Sequence, residues 1–201
     1  MRRSDLVAYL GHANHASEIM LRTLNRAAEL VSGFKQVAVD RTTADRHSFA
    51  LLLLGQQIVA TVNSQNPAMQ HAVGIDVPAD VQMDSYPAAL GQVITNLVNN
   101  ALVHAFEGRT GGQIELTATR TSSDRVALVV RDNGGGIAAE HLKRIFDPFF
   151  TTKLGRGGGG LGLSVAYNIV TALLGGQISA ESQLNVGTRF TLDLPLVAPG
   201  K

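Results

Sequence analysis

The sequence lacks cysteine, long hydrophobic runs and an excess of charge of either sign. The absence of cysteine excludes disulfide bridges and thiolate metal sites and leaves the redox compartment open. No run approaches the roughly 18 apolar residues of a membrane-spanning helix, and the N-terminal residues lack the apolar segment of a signal peptide. A net charge of +1 gives no electrostatic reason to expect nucleic acid. We therefore expect a soluble chain without direct membrane contact, which does not exclude a membrane-bound parent.

Proline is absent before residue 67, and the N-terminal residues have a heptad pattern. Apolar and small residues from Leu6 to Phe34 recur at alternating spacings of three and four, which predicts a long amphipathic helix over 4–37 that packs on another helix. A single surface helix of its own domain is the alternative. Residues 38–48 are polar and indicate a linker. We therefore divide the chain into a helical segment at 1–40, a linker at 41–48 and a domain at 49–201.

The domain at 49–201 mixes helical and strand patterns. The predicted helices are 49–63, 86–106, 138–146 and 161–174. The predicted strands are a pair at about 70–77 and 80–84, then 113–121, 125–132, 177–182 and 188–194. Residues 147–160 show no periodicity and form a long loop, which in a compact domain usually has a function. This order predicts an α+β sandwich rather than a doubly wound sheet.

Glycine is concentrated in one stretch, Gly155 to Ser164, where six of ten residues are glycines. A flexible loop that leads directly into a helix is a common anion site, so phosphate is the first ligand to expect. The spacing also matches a dinucleotide-binding fingerprint. That motif needs a preceding strand, and Pro148 and the residues after it do not form one.

Two further stretches bear polar residues in apolar surroundings. Asn96, Asn100 and His104 are spaced i, i+4 and i+8, so they lie along one face of the predicted helix 86–106. They could ligate Mg²⁺ and phosphate, or simply face solvent. Asp132 ends an apolar strand before Gly134 and Gly136, where its carboxylate could accept a hydrogen bond from an adenine amine. An ordinary turn is the alternative there.

These stretches together resemble the nucleotide-binding motifs of the GHKL ATPase superfamily. Asn96 to Ala101 resembles its N box, Asp132 to Ile137 its G1 box, and Gly158 to Leu163 its G2 box. Phe146 to Lys153 resembles the F box of sensor histidine kinases, and Gly187 to Phe190 resembles the closing strand motif. The resemblance implies the Bergerat fold, a two-layer sandwich of a mixed, mainly antiparallel sheet with helices on one face and a mobile ATP lid.

The resemblance also implies roles for individual residues toward ATP and Mg²⁺. Asn100 would be the Mg²⁺ ligand, with Asn96 as its catalytic companion. The family often has a lysine at the position of Val103, so the phosphate contacts would fall to His104, Lys153 or Arg156. The remaining nucleotide-binding residues would be Asp132 at the adenine amine, Gly134 and Gly136 at the base, Gly158, Gly160, Leu161 and Gly162 at the triphosphate, and Thr188 at the adenine end.

The residue at position 96 separates two kinds of chemistry. Hydrolysing members of the superfamily have a glutamate base one turn before the magnesium asparagine, where this chain has Asn96. An amide cannot accept a proton at neutral pH. The substitution favours transfer of the γ-phosphoryl group to a nucleophile over hydrolysis, because phosphoryl transfer depends mainly on positioning and charge neutralisation.

Family kinases phosphorylate a histidine on the first helix of a dimeric bundle, with an acidic neighbour and a later proline. His12 and His15 lack both, so residues 1–40 are interpreted as part of the second bundle helix and the chain as a fragment unable to autophosphorylate alone. The implied partners are the parent's histidine-bearing dimerisation domain, in a homodimer, and the receiver domain of a response regulator. The alternatives are a GHKL ATPase, an anti-sigma type serine kinase or an interaction module that binds no nucleotide.

Overall fold

The structure is a computed structural model that describes residues 45–65, 72–109, 111–152 and 160–200, together with Ser17, Met20 and Thr23. Those three N-terminal residues are helical and exposed. The rest of the predicted helix at 4–37, and residues 38–44 of the predicted linker, lie outside the described residues.

A five-stranded mixed sheet is the centre of the fold. Its strands are β2 (Ala72–Asp76), β4 (Gln113–Arg120), β5 (Arg125–Asp132), β6 (Gln177–Gln183) and β7 (Gly187–Pro195). They are ordered β2-β4-β5-β7-β6, and only the β2–β4 pair is parallel. The predicted hairpins β4–β5 and β6–β7 are confirmed, because alternating apolar residues and short turns specify antiparallel neighbours directly.

One face of this sheet forms the hydrophobic core with the helices. Every second residue of each central strand is buried there, which is the period that the pleat of a strand imposes. These residues are Ile114, Leu116 and Ala118 of β4, Val126, Leu128 and Val130 of β5, and Phe190, Leu192 and Leu194 of β7. The opposite face has charged residues such as Glu115, Arg131 and Arg189, which are exposed. The predicted α+β architecture is therefore confirmed.

Four α-helices accompany the sheet in the described residues. They are α1 (Leu51–Gln65), α2 (Pro87–Asn100), α3 (Ala139–Leu142) and α4 (Gly162–Asn168). Helices α2 and α4 continue as π-helical segments at Ala101–Ala105 and Ile169–Leu173. Gly175, with φ of +69°, follows the second segment, as expected of a helix C-terminus. The two helices predicted at 86–106 and 161–174 are thus confirmed.

Two predictions around the first helix were wrong. Residues His47–Ala50 form a strand, β1, although His47 and Ser48 were assigned to the linker and Phe49 and Ala50 to a helix. The strands β2 and β3 (Gln82–Ser85) do not pair with each other: β3 pairs with β1 in a separate sheet, whereas β2 pairs with β4. Such pairing between distant segments is not visible in local patterns.

Arg46, the residue directly before β1, is bound to β3. The guanidinium of Arg46 donates to both carboxylate oxygens of Asp84, at 3.0 and 2.9 Å. The backbone of Asp84 also accepts from Ala198 and donates to Leu196, near the C-terminal end. Both ends of the described domain therefore meet on one short strand.

None of the helices in the described ranges has an apolar stretch long enough to cross a bilayer.

Candidate functional site

Two adjoining cavities lie between α2, α4 and the loops that follow β5 and α3. Their volumes are about 350 and 230 Å³. Both are lined by Asn100, His104, Phe150, Thr151 and Leu163. The larger volume falls in the usual range of small-molecule sites. The shared residues make the two cavities compartments of one site.

The polar face of α2 reaches this site. Asn100 and His104 line both cavities, and Asn96 lines the smaller one, as their spacing along one helix face predicts. The side-chain amide of Asn96 donates a hydrogen bond to the carbonyl of Gly162, 3.2 Å away. This bond joins α2 to the first residue of α4. The roles of these residues toward magnesium and phosphate remain predictions.

Asp132 is buried at the end of β5 and lines neither cavity, whereas Gly136, four residues later, lines the larger one. Its carboxylate Oδ1 accepts hydrogen bonds from the backbone amides of Gly134 at 2.9 Å and Thr188 at 3.3 Å. Thr188 comes close because it is the cross-strand partner of Asp132 in the β5–β7 pair. Burial raises the pKa of this carboxyl, and the two backbone hydrogen bonds oppose the shift only partly. No described residue donates to Oδ2.

Asp132 differs from every other buried residue in the described ranges. The other buried polar side chains there are uncharged, on Ser85, Ser164 and Thr188. A buried carboxylate is costly, and such groups cluster at functional sites. In the described ranges, the fold therefore buries one carboxylate, at the end of β5.

Two glycines after Asp132 allow unusually close packing of the loop. A Cβ at Gly134 would overlap Ala105, the last residue of the π-helical segment after α2. Gly136 has φ of +69°, and a Cβ there would overlap the carbonyl oxygen of Gln183 at the end of β6. The positions predicted to shape the base pocket thus require glycine for contacts within the protein.

We expect Gly136→Ala to destabilise the fold through this overlap. The matched control is Gly108→Ala, because Gly108 has φ of +70° but nothing within 4 Å of an added Cβ. Both variants incur the cost of an alanine at positive φ. Only Gly136→Ala adds steric overlap, so its free energy of unfolding should fall by about 1–3 kcal/mol more than that of the control. Urea denaturation measures both, and equal losses would contradict the prediction.

A hydrogen bond joins the two sides of the loop predicted as the ATP lid, at Phe149 and Gly160. The amide of Phe149 donates to the carbonyl of Gly160 at 2.9 Å. Both residues have positive φ, 67° for Phe149 and 66° for Gly160, which is unusual for phenylalanine. Leu161 follows as the N-cap of α4. Lys153, Arg156 and Gly158 lie outside the described residues.

Several residues that line the site were not identified from the sequence. They are Ala138, His141, Ile145 and Leu184, while Ile137, Phe150, Thr151, Thr152 and Leu163 belong to the motifs named from the sequence but were given no individual role. His141 lies beside the ring of Phe150, with centroids 5.6 Å apart, and the guanidinium of Arg144 lies 5.0 Å from the same ring. No local pattern distinguishes His141 or Leu184, because tertiary packing alone brings them to the cavity.

The donor set of the site fits a metal that retains water and phosphate ligands. No group of three or more histidine, cysteine, aspartate or glutamate side chains suited to a metal occurs in the parts of the chain that the structure describes. Asn100 lines both cavities, and its side chain has a single amide oxygen. Mg²⁺ is commonly bound by one or two protein oxygens together with substrate phosphates, so the arrangement fits that ion.

Comparison with known proteins relates this geometry to a family. The sequence profile of the family described as "Histidine kinase-, DNA gyrase B-, and HSP90-like ATPase" matches residues 85–198. The sensor histidine kinase ZraS of Escherichia coli (strain K12) is 34% identical over 195 residues, which cover 92% of this chain and 38% of ZraS. The alginate biosynthesis sensor protein KinB of Pseudomonas aeruginosa is 38% identical over 141 residues, which cover 70% of this chain and 22% of KinB.

A solved structure agrees with these relatives. The nucleotide-free catalytic domain of the histidine kinase ThkA matches with a TM-score of 0.66 and 28% identity, over 76% of this chain and 97% of that domain. This chain spans well under half the length of ZraS and KinB. The resemblance drawn from the five sequence motifs is confirmed. The chain belongs to the histidine kinase-, DNA gyrase B- and HSP90-like ATPase family, and its ATPase domain is of the sensor histidine kinase type.

Proposed function

We propose that this chain binds Mg·ATP and donates the γ-phosphoryl group to a histidine on a bundle helix. The observation that carries the proposal is the buried Asp132, which lines neither cavity itself but comes four residues before Gly136 in the wall of the larger one. Asp132 is 6% exposed and has one oxygen without a donor among the described residues. Adenine has an exocyclic amine that donates hydrogen bonds, so the base would supply the partner that this carboxylate lacks.

The two compartments differ in a way that suits the two halves of ATP. The larger one includes apolar side chains such as Ile137, Ala138 and Ile145, which suit a base and ribose. The smaller one includes Asn96, Asn99, Gly160 and Gly162, which offer amide and backbone groups to a triphosphate. Asn100 and His104 line both compartments and stand where the two halves would join.

Magnesium would be held by Asn100 together with the phosphates of ATP. When bound, it would neutralise part of the triphosphate charge. The chain's own residues then have three tasks. Asp132 binds and orients the base, the α2 face positions the phosphates, and the Phe149–Gly160 hydrogen bond fixes Gly160, which lines the smaller compartment.

Position 96 supports transfer over hydrolysis. The amide of Asn96 donates to Gly162, and no aspartate or glutamate lines either cavity. The described lining therefore has no carboxylate base to activate water. Hydrolysis is the second candidate, because His104 lines both cavities and histidine is the most common general base.

The partners follow from the same proposal. The acceptor histidine would belong to the dimerisation domain of a homodimeric parent, and a response-regulator aspartate would take the phosphoryl group next. The 1–40 segment would be part of the second bundle helix, and the catalytic domain would act in the cytoplasm whether or not the parent is membrane-anchored. Relatives that are themselves sensor kinases support this arrangement.

Two measurements on the same preparation test the proposal. Titration of the 201-residue chain with a fluorescent ATP analogue, with and without Mg²⁺, should give saturable, Mg²⁺-dependent binding. Incubation with γ-labelled ATP and the parent's histidine-bearing domain should place acid-labile, base-stable label on that domain. Steady phosphate release without transferred label would favour the hydrolase, and the absence of saturable binding would refute both candidates.

A further inference from the structure

The turn between β6 and β7 stands at the edge of the larger cavity. Leu184 lines this cavity although its side chain is 57% exposed. Val186, two residues later in the same turn, is 53% exposed and lines neither cavity. An exposed leucine at the wall of a largely apolar cavity has surface that a ligand could remove from water.

The turn is held directly against the loop that follows Asp132. The backbone amide of Asn185 donates to the carbonyl of Gly135 at 2.8 Å. The amide of Ile137 donates to the hydroxyl of Ser182 at 2.7 Å. Between these two bonds, Gly136 packs closely against the backbone of Gln183. The turn that contains Leu184 is therefore hydrogen-bonded to the loop that begins at the buried carboxylate of Asp132.

A third contact ties the turn to the segment after α2. The guanidinium of Arg109 donates to the side-chain oxygen of Asn185 at 2.8 Å. Asn185 has φ of 62°, a conformation that asparagine tolerates better than most residues and that reverses the chain directly after Leu184. The position of Leu184 is thus set by β6, the loop after β5 and the segment after α2 together.

We propose that Leu184 contacts the base or ribose of the bound nucleotide and contributes to its affinity, with Arg109 and Asn185 as positioning residues. This inference rests on the proposed function. The base half is chosen because Leu184 lines only the larger compartment, with Ile137, Ala138 and Ile145, and is absent from the polar compartment that contains Asn96. A base on this wall would cover the leucine, whereas a triphosphate would gain nothing from it.

The test compares Leu184→Ala with Val186→Ala in the full chain. Both remove an exposed aliphatic side chain from one turn, so their melting temperatures should stay equal. Calorimetric titration with ATP and with ADP should show Kd raised about 3–10-fold for Leu184→Ala, by the loss of buried apolar area. Val186→Ala should bind like the unsubstituted chain. The factor should be the same for both nucleotides, because the γ-phosphate is remote from the base.

Equal affinities for Leu184→Ala and Val186→Ala would overturn the inference. So would a loss that shrinks markedly with ADP, since that dependence would place the contact at the phosphates. Failure of the unsubstituted chain to bind ATP would overturn the proposed function itself, and the role of Leu184 with it. These results are distinguishable within one set of titrations.

A second pair of variants tests the positioning role. Asn185→Gly keeps a residue that adopts positive φ but removes the acceptor of Arg109. Asn185→Gly and Arg109→Ala should each raise Kd for ATP and ADP by one common factor, about 2–5-fold, and the double variant should be no weaker than either. Additive losses, or losses confined to ATP, would refute the positioning role.

Discussion

Asp132→Asn is expected to lower the affinity for ATP by about 100-fold or more while the fold stays intact. An asparagine oxygen can still accept from the amides of Gly134 and Thr188. Its amide nitrogen would then replace Oδ2 and present a donor to the donating amine of adenine. A buried site binds a ligand weakly when two donors face each other, because both polar groups lose their water without gaining a hydrogen-bond partner. The measurement is a titration with a fluorescent ATP analogue.

The thermal stability of Asp132→Asn should stay the same or rise, although its affinity for ATP falls. Burial raises the pKa of Asp132 in the folded state, so its ionised form is disfavoured by folding. The contribution of this carboxyl to stability is therefore fully present below its unfolded pKa and is lost as pH rises through the folded pKa. Asp132→Asn should unfold at the same or a higher temperature than the unsubstituted chain at neutral pH. That advantage should disappear in acid.

Asp76→Asn is the matched control, because Asp76 is an exposed strand residue, whereas Asp132 is buried and accepts from Gly134 in the loop after β5. Its ATP affinity should equal that of the unsubstituted chain at each pH, and the pH dependence of the weak binding by Asp132→Asn corrects for the titration of ATP itself. In the unsubstituted chain, binding should weaken as pH falls through the raised pKa of Asp132, and the residual binding of Asp132→Asn should not follow that change. Unaltered ATP binding by Asp132→Asn would refute the adenine contact.

The parts of the fold that the sequence predicts are those set by local periodicity. The β4–β5 hairpin follows from alternation on both sides of a short polar turn, and α2 follows from a long apolar repeat that begins at Pro87. Strand β1 has only four residues, and its state depends on pairing with β3 more than thirty residues later. Strand β2 pairs in parallel with β4 across an intervening helix, so adjacency in sequence gave the wrong partner.

The same distinction holds at the site. Asn96, Asn100 and His104 were predictable as a group because one helix sets their spacing, and Asp132 because a carboxylate directly after an apolar strand is conspicuous. The close contact of Gly136 with Gln183 and the position of Leu184 depend on how β6 packs against the loop after β5. Their residue types are ordinary in turns, so the sequence has no signal for them.

Asn100→Ala is expected to remove the effect of magnesium on ATP binding and to slow phosphoryl transfer by about 100–1000-fold. Asn100 is the asparagine that lines both compartments, and its amide oxygen is the protein ligand that the proposal assigns to Mg²⁺. Loss of charge neutralisation at a transferring phosphoryl group costs several kcal/mol of transition-state stabilisation. ATP binding without Mg²⁺ should change little, because the base contact at Asp132 is unaltered.

The appropriate control is Asn168→Ala, an exposed helical asparagine that lines neither cavity. It makes the same chemical change at a helix position and should leave Mg²⁺-dependent binding and transfer unchanged. The decisive quantity is the ratio of ATP affinities with and without Mg²⁺, since a general loss of folding lowers both affinities together. A ratio in Asn100→Ala equal to that of Asn168→Ala would remove Asn100 from the metal site. Phosphoryl transfer by Asn100→Ala at the rate of the unsubstituted chain would likewise show that other groups of the smaller compartment position the phosphates without Asn100.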